Sequence, residues 1–284
     1  MVMLPSCSKL HNAMLITSRA NANIKGVKRL FRRRERDRTG LFFAEGVQLV
    51  TEALGMNADI SLLIVSPEML GEEALASIAP LWESKGLRAM EVTPEVFASI
   101  SPQDGLQGVG AVIRERWARL EDASPADGTC WVALNRIQHP GSLGTIIRVC
   151  DAVGGRGVIL IEDSTDPYDP TAVRASLGAI FSQQVVRSSF AEFAAWRERH
   201  GCSVVGTSPA ADTDYQAVVY EPPIVLLMGS ERIGLSPEQQ AICDVMVRIP
   251  MAGRCESHHV AVATGIVLYE VFNQRRARQQ RPTE

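Results

Sequence analysis

Pro223-Ile224-Val225-Leu226-Leu227-Met228-Gly229-Ser230-Glu231-Arg232-Ile233-Gly234-Leu235-Ser236 is the stretch whose reading decides the fold. Its apolar opening is short and ends on glycine, which reads as a strand buried on both faces. A glycine at a strand end lets a ligand approach the backbone closely. Past Gly234 a helix starts, with Ser236 as its candidate N-cap. Working outward, residues 130–134, 157–161, 203–206 and 245–249 are further apolar runs. Helical segments alternate with them at about 141–153, 171–181, 190–200 and 260–278. That alternation predicts an α/β fold with a parallel sheet covered on both faces. Ligands of such sheets bind beyond the carboxyl ends of the strands.

The first half of the chain has its own alternation. Strands are expected at 40–46, 60–65, 87–92 and 107–113, and helices at 47–54, 72–84 and 94–99, the last opened by Thr93 and Pro94. This pattern predicts a small α/β domain. Residues 114–128 turn charged and then run Ala-Ser-Pro-Ala-Asp-Gly, the composition of a linker. The expected organisation is a flexible N-terminus at 1–16, a first domain at 17–114, a linker at 115–128 and a second domain at 129–284.

At 284 residues and 46% hydrophobic, the chain can bury substantial cores. Its net charge of -3 does not announce a nucleic-acid binder, yet the charge is unevenly distributed. Lys25, Lys28, Arg29, Arg32, Arg33 and Arg36 recur at helical spacing, so a single basic helix would present one cationic face, with Arg19 just before it. Such a face is either a solvated surface or a phosphate contact. Six cysteines show no C-x-x-C pair, and no apolar run approaches the roughly 18 residues of a membrane span. A cytoplasmic protein with reduced thiols, no bound metal and no membrane contact is the expectation. The acid-free start would also suit an organelle transit peptide.

Three loops carry candidate chemistry. In residues 135–148, Gly144 and Arg148 share one side of a helix, and Arg148 could meet a phosphate, a ribose edge or a structural acid. Glu231 is either a working carboxylate or an ordinary exposed acid. Ile249-Pro250-Met251-Ala252-Gly253 is irregular backbone suited to binding an adenine edge through main-chain groups. His258 and His259 can handle protons or simply start the helix that follows. That helix is apolar over more than one face, which suits either a deep core or burial against a second subunit. Gly154-Gly155-Arg156-Gly157 precedes a strand instead of following one, so it is no dinucleotide fingerprint.

Together these segments resemble the three signature motifs of the SpoU/TrmH branch of the SPOUT methyltransferases. The third, Ile249-Pro250-Met251-Ala252-Gly253 with Ser257 and Val260-Ala261-Val262-Ala263-Thr264-Gly265-Ile266, is the most specific. Thr17-Ser18-Arg19, Asn21, Lys25, Glu45-Gly46 and Gln107-Gly108 resemble the substrate-binding domain that precedes the catalytic domain in rRNA-directed members, a fold shared with a small ribosomal protein family. The resemblance implies methyl transfer from S-adenosylmethionine to a ribose 2′-hydroxyl of RNA, most simply large-subunit rRNA. It also implies a deep trefoil knot, an exception to the usual rule, and a homodimer. By position it makes Arg148 and Glu231 catalytic, with Ser142 and His259 beside them. Thr207, Gly229, Ile249, Met251, His258 and Val260 would hold the cofactor. Arg19, Lys25, Lys28, Arg29, Arg32, Arg33 and Arg36 would meet RNA.

Two positions depart from that pattern. Ser142 and His259 stand where the family usually carries asparagine, which offers both a donor and an acceptor. The departures leave room for a non-catalytic RNA-binding relative acting in ribosome assembly. A tRNA methylase would use the same chemistry, but the compact tRNA enzymes usually lack the first domain.

Overall fold

The computed structural model describes residues 15–101, 107–125 and 130–280. Backbone contacts divide the chain into two compact units, Met1–Glu115 and Arg116–Glu284.

The first unit runs α1 Ala22–Leu30, α2 Arg33–Thr39, β1 Leu41–Glu45, α3 Val47–Gly55, β2 Ile60–Val65, α4 Pro67–Leu70, α5 Glu72–Glu83, β3 Ala89–Glu91, α6 Pro94–Ala98 and β4 Val109–Arg114. Its sheet has the order β1-β4-β2-β3. β4 is antiparallel to both neighbours, and only β2 and β3 run parallel. The flexible start expected at 1–16 lies outside the described residues up to 14. Ile16 is tied down, because its amide donates to the Glu91 carbonyl and its carbonyl accepts from Thr93.

The expected single basic helix is two helices. Arg32 adopts an extended conformation between α1 and α2, and Phe31 turns in to meet Phe43 edge-on. Ile24, Val27 and Leu30 bury one face of α1. The break corrects one assignment: Arg36 is 1% exposed and cannot belong to a cationic surface. Its Nη1 donates to the Leu30 carbonyl at 2.8 Å, satisfying an acceptor left open at the end of α1. Lys25, Arg29, Arg32 and Arg33 remain exposed, Lys28 is half-buried, and Arg19 is exposed. Arg34 and Arg38, outside the expected stripe, are exposed as well.

The second unit runs β5 Cys130–Asn135, α7 Pro140–Ala152, β6 Gly157–Ile161, α8 Pro170–Ser176, α9 Ala179–Ser182, β7 Gln184–Ser188, α10 Phe190–His200, β8 Ser203–Thr207, β9 Thr213–Asp214, β10 Ile224–Met228, α11 Pro237–Ala241, β11 Val245–Arg248 and α12 Val260–Gln279. All seven strands are parallel in the order β7-β6-β5-β10-β8-β11-β9. β5, β6 and β10 are buried along their whole length, as runs without alternation require. The chain leaves β5 toward β6 on one side and returns to β8 and β10 on the other. Residues after the carboxyl ends of β5 and β10 therefore flank a crevice.

Two sequence expectations are corrected here. The helix expected over 171–181 is split, because Leu177 and Gly178 both adopt left-handed backbone. The described part of the expected linker is packed structure. Trp196 Nε1 donates to the Ala123 carbonyl at 2.9 Å, and Trp131 Nε1 donates to that of Ser124 at 3.2 Å. Buried indoles need acceptors, and the polar segment supplies them. Ala118 also joins the edge of the sheet through Val185 and Val186, and the Arg187 guanidinium lies 3.7 Å over Trp117.

Replacing Arg36 with alanine should lower the thermal midpoint, leaving the Leu30 carbonyl buried without a partner at about 1–3 kcal/mol. Replacing the exposed Arg29, Arg32 and Arg33 together should leave the midpoint nearly unchanged. A reversed pattern in melting would return Arg36 to the surface.

Candidate active site

Three loops converge beyond the carboxyl ends of β8, β10 and β11. They enclose a cleft of about 550 Å³ that holds all six expected cofactor residues: Thr207, Gly229, Ile249, Met251, His258 and Val260. Glu231 and His259 line it too.

The second loop explains its own glycine. Gly229 lies so close to the backbone of Gly234 and Leu235 that a Cβ there would collide with both. The loop doubles back on itself, with Gly234 N donating to Ser230 O at 3.0 Å and Ile233 N to Ser230 Oγ at 3.3 Å. Gly229 is thus demanded by the chain's own turn, a nearer cause than ligand approach. Leu235 anchors the returning strand of the loop in the core, and the expected Ser236 cap forms a reciprocal box with Gln239. Ile233 is left 84% exposed at the lip of the cleft.

Glu231 joins the second loop to the first. Its carboxylate accepts from Gln138 N at 3.3 Å and from His139 N at 3.4 Å. Those amides lie just before α7, where the helix N-terminus favours negative charge. The third loop reaches the first through another bond. Ser142 Oγ lies 3.0 Å from His259 Nε2, and His259 caps α12 by accepting from Ala261 N through Nδ1 at 3.3 Å. The two departures from the family pattern are therefore one contact.

A second, wider groove of about 1260 Å³ runs along α7, α8 and α12. Ser142, Thr145, Val149, Arg174, Ile266 and Tyr269 are among its walls. His139 and His259 line both groove and cleft and so stand where one opens into the other. Neither His139 nor Arg174 is among the site residues expected from sequence; His139 is adjacent to Pro140 in the first motif, the only local signal for it. Gly144 permits α8 to dock on α7, since a Cβ there would strike the Ala172 carbonyl and Ala175. Arg148 is exposed, one turn beyond Gly144, and lines neither cavity.

Burial pushes the Cys130 and Cys243 thiols up to about 12 and Cys202 to about 11, far from the thiolate form that reacts.

The model of the SpoU rRNA methylase family matches residues 129–269, and that of the MRM3-like substrate binding domain matches residues 21–111. The 23S rRNA (uridine(2479)-2'-O)-methyltransferase of Streptomyces viridochromogenes is 31% identical over 276 residues, covering 93% of each chain. The chain belongs to the SpoU rRNA methylase family. Another SpoU relative, the 23S rRNA (guanosine(2553)-2'-O)-methyltransferase of Bacillus subtilis, is 27% identical over 90% of this chain and 98% of its own. Among solved SpoU-type structures, the AdoMet-bound rRNA methyltransferase from Sinorhizobium meliloti superposes with a TM-score of 0.84 at 35% identity, covering 95% of this chain and 99% of that one.

Glu231→Ala should release the loop before α7. Hydrogen exchange at the Gln138 and His139 amides should accelerate about tenfold or more, the equivalent of one charge-assisted hydrogen bond. Unchanged exchange there would remove Glu231 as the link between the loops.

Proposed function

We propose that this chain transfers a methyl group from S-adenosylmethionine to a ribose 2′-hydroxyl of large-subunit ribosomal RNA. One observation carries the reading: a single cleft gathers every residue expected to hold the cofactor and opens at His139 and His259 onto a groove lined by Ser142. The cleft suits a nucleoside. Its walls are irregular backbone at 249–259 with apolar side chains from Leu235, Val247 and Ile249, which can edge and enclose an adenine. When bound, S-adenosylmethionine supplies an electrophilic methyl carried on a sulfonium.

The chain's own residues do the rest. Glu231 fixes the loop that places His139 and the start of α7. Arg148 binds a substrate phosphate with its planar guanidinium and favours negative charge growing on the ribose oxygen. The exposed arginines of α1 and α2 meet phosphates of the RNA, releasing counterions. In this reading the backbone forms the deep trefoil that the family resemblance implies.

Arg148 works from a second copy of the chain. It is exposed on α7, beside a groove whose apolar walls include Val262 at 51% exposure and Tyr269 at 46%. A homodimer packed through α7 and α12 would cover that surface and carry each Arg148 toward the other chain's cleft.

Incubating the protein with ribosomal RNA and labelled S-adenosylmethionine should place label in a 2′-O-methyl nucleotide. Arg148→Ala should cut the rate about 100-fold or more while leaving cofactor affinity unchanged; equal losses in both would undo its role. Binding of RNA without methyl transfer would favour the assembly-factor reading, and label in tRNA alone would favour a tRNA enzyme. Mixed dimers of Arg148→Ala and Gly229→Val chains should regain activity, since each mixed dimer pairs one intact cleft with the partner's intact arginine. No recovery would place Arg148 in its own chain's site.

A further inference from the structure

The Ser142–His259 contact constrains which proton sits where. Ala261 N can only donate, so His259 Nδ1, which receives it at 3.3 Å, must hold a lone pair. A neutral imidazole carries one N–H, which is then on Nε2 and points at Ser142 Oγ, 3.0 Å away. Ser142 is 4% exposed and occupies the first turn of α7, so its oxygen is held in place by the helix. With that oxygen accepting from His259, the hydroxyl's own proton is the one it can offer, and Ser142 lines the groove.

We propose that His259 is a locked hydrogen-bond donor that fixes the Ser142 hydroxyl as a positioning group for an oxygen of the substrate's sugar–phosphate backbone. In the locked form His259 takes no proton from the ribose. A Ser–His pair acting as a base would need a lone pair on Nε2, and the cap of α12 puts a hydrogen there instead. This inference rests on the proposed methyl transfer and specifies how the site holds its substrate. It also accounts for the paired departure from asparagine. One face of the His259 ring accepts and the other donates, which is the pattern an amide side chain presents.

The lock is sensitive to acid. A second ring proton would place a hydrogen on Nδ1 where the Ala261 N–H already points, and the cap would be lost. The charged and titratable groups that line the cleft and the groove with His259 are His139 before α7, Glu231 and Arg232 on the second loop, Arg174 on α8, His258 on its own loop and Tyr269 on α12.

Nitrogen-15 shifts of the His259 ring, assigned by their loss in a His259 variant, test the lock without any activity. In the neutral ring Nδ1 should be bare and Nε2 protonated; the opposite tautomer overturns the inference. Methyl-transfer kinetics then test the role. His259→Ser keeps a cap acceptor but cannot reach Ser142, so kcat should fall about tenfold or more with the melting temperature held. The conservative His259→Asn restores acceptor and donor together and should rescue kcat to within about threefold, with a flattened acid limb. A loss of about 100-fold or more in His259→Asn, the size expected for a missing general base, would overturn the inference. So would an unchanged kcat in His259→Ser. If the wild-type chain methylates no RNA, the proposed function fails, and the ring-nitrogen result still stands or falls separately.

Discussion

The Glu231 carboxylate is where two distant stretches of sequence become one wall. By accepting the Gln138 and His139 amides it fixes the second loop against the entrance to α7. Without that acceptor, two backbone donors at a positive helix end would depend on water. The Ser142–His259 bond does the same for the third loop. Both links lie at the mouth of the cleft, so they set its geometry more than they set the stability of the fold. The fold rests instead on the buried strands and on the Trp131, Phe193 and Trp196 cluster beneath them.

A parallel sheet makes this convergence possible. Every strand in the second unit ends on the same edge, and the reversal of strand order around β5 and β10 opens a crevice there. Loops after β8, β10 and β11 then meet although they are far apart in sequence. Rigid strands hold their starting points, while Gly229, the capping box of α11 and the His259 cap of α12 set how the loops turn. The cleft is shaped by backbone geometry as much as by side chains.

Much of this was legible in the chain. Uninterrupted apolar runs gave five of the second unit's strands their nature, and Ser236 and Pro140 marked helix starts that the structure keeps. The short edge strand β7, Gln184–Ser188, was not readable: it buries only Val185 and Val186, too little pattern to register. Arg36 followed a helical period that stops at Arg32, and no composition rule shows that a guanidinium will turn back to cap its predecessor. The segment around Ala123 looked like a linker because its role is carried by carbonyls, which sequence does not display. The residues that the resemblance assigns to a cofactor meet in one cleft because the loops carrying them follow neighbouring strands. The exposure of Arg148 was not legible, since one helix sequence does not show which of its sides is left uncovered.

The account stands on the cleft as the seat of the methyl donor. Calorimetric titration of the full-length wild-type chain with S-adenosylmethionine, alongside Gly229→Ala, tests this most directly. The account predicts one saturable site per wild-type chain with a negative heat-capacity change from burying the adenosine, and loss of that site in Gly229→Ala at an intact sheet. A folded wild-type chain that shows no binding heat, or binding undiminished by the substitution, would contradict it.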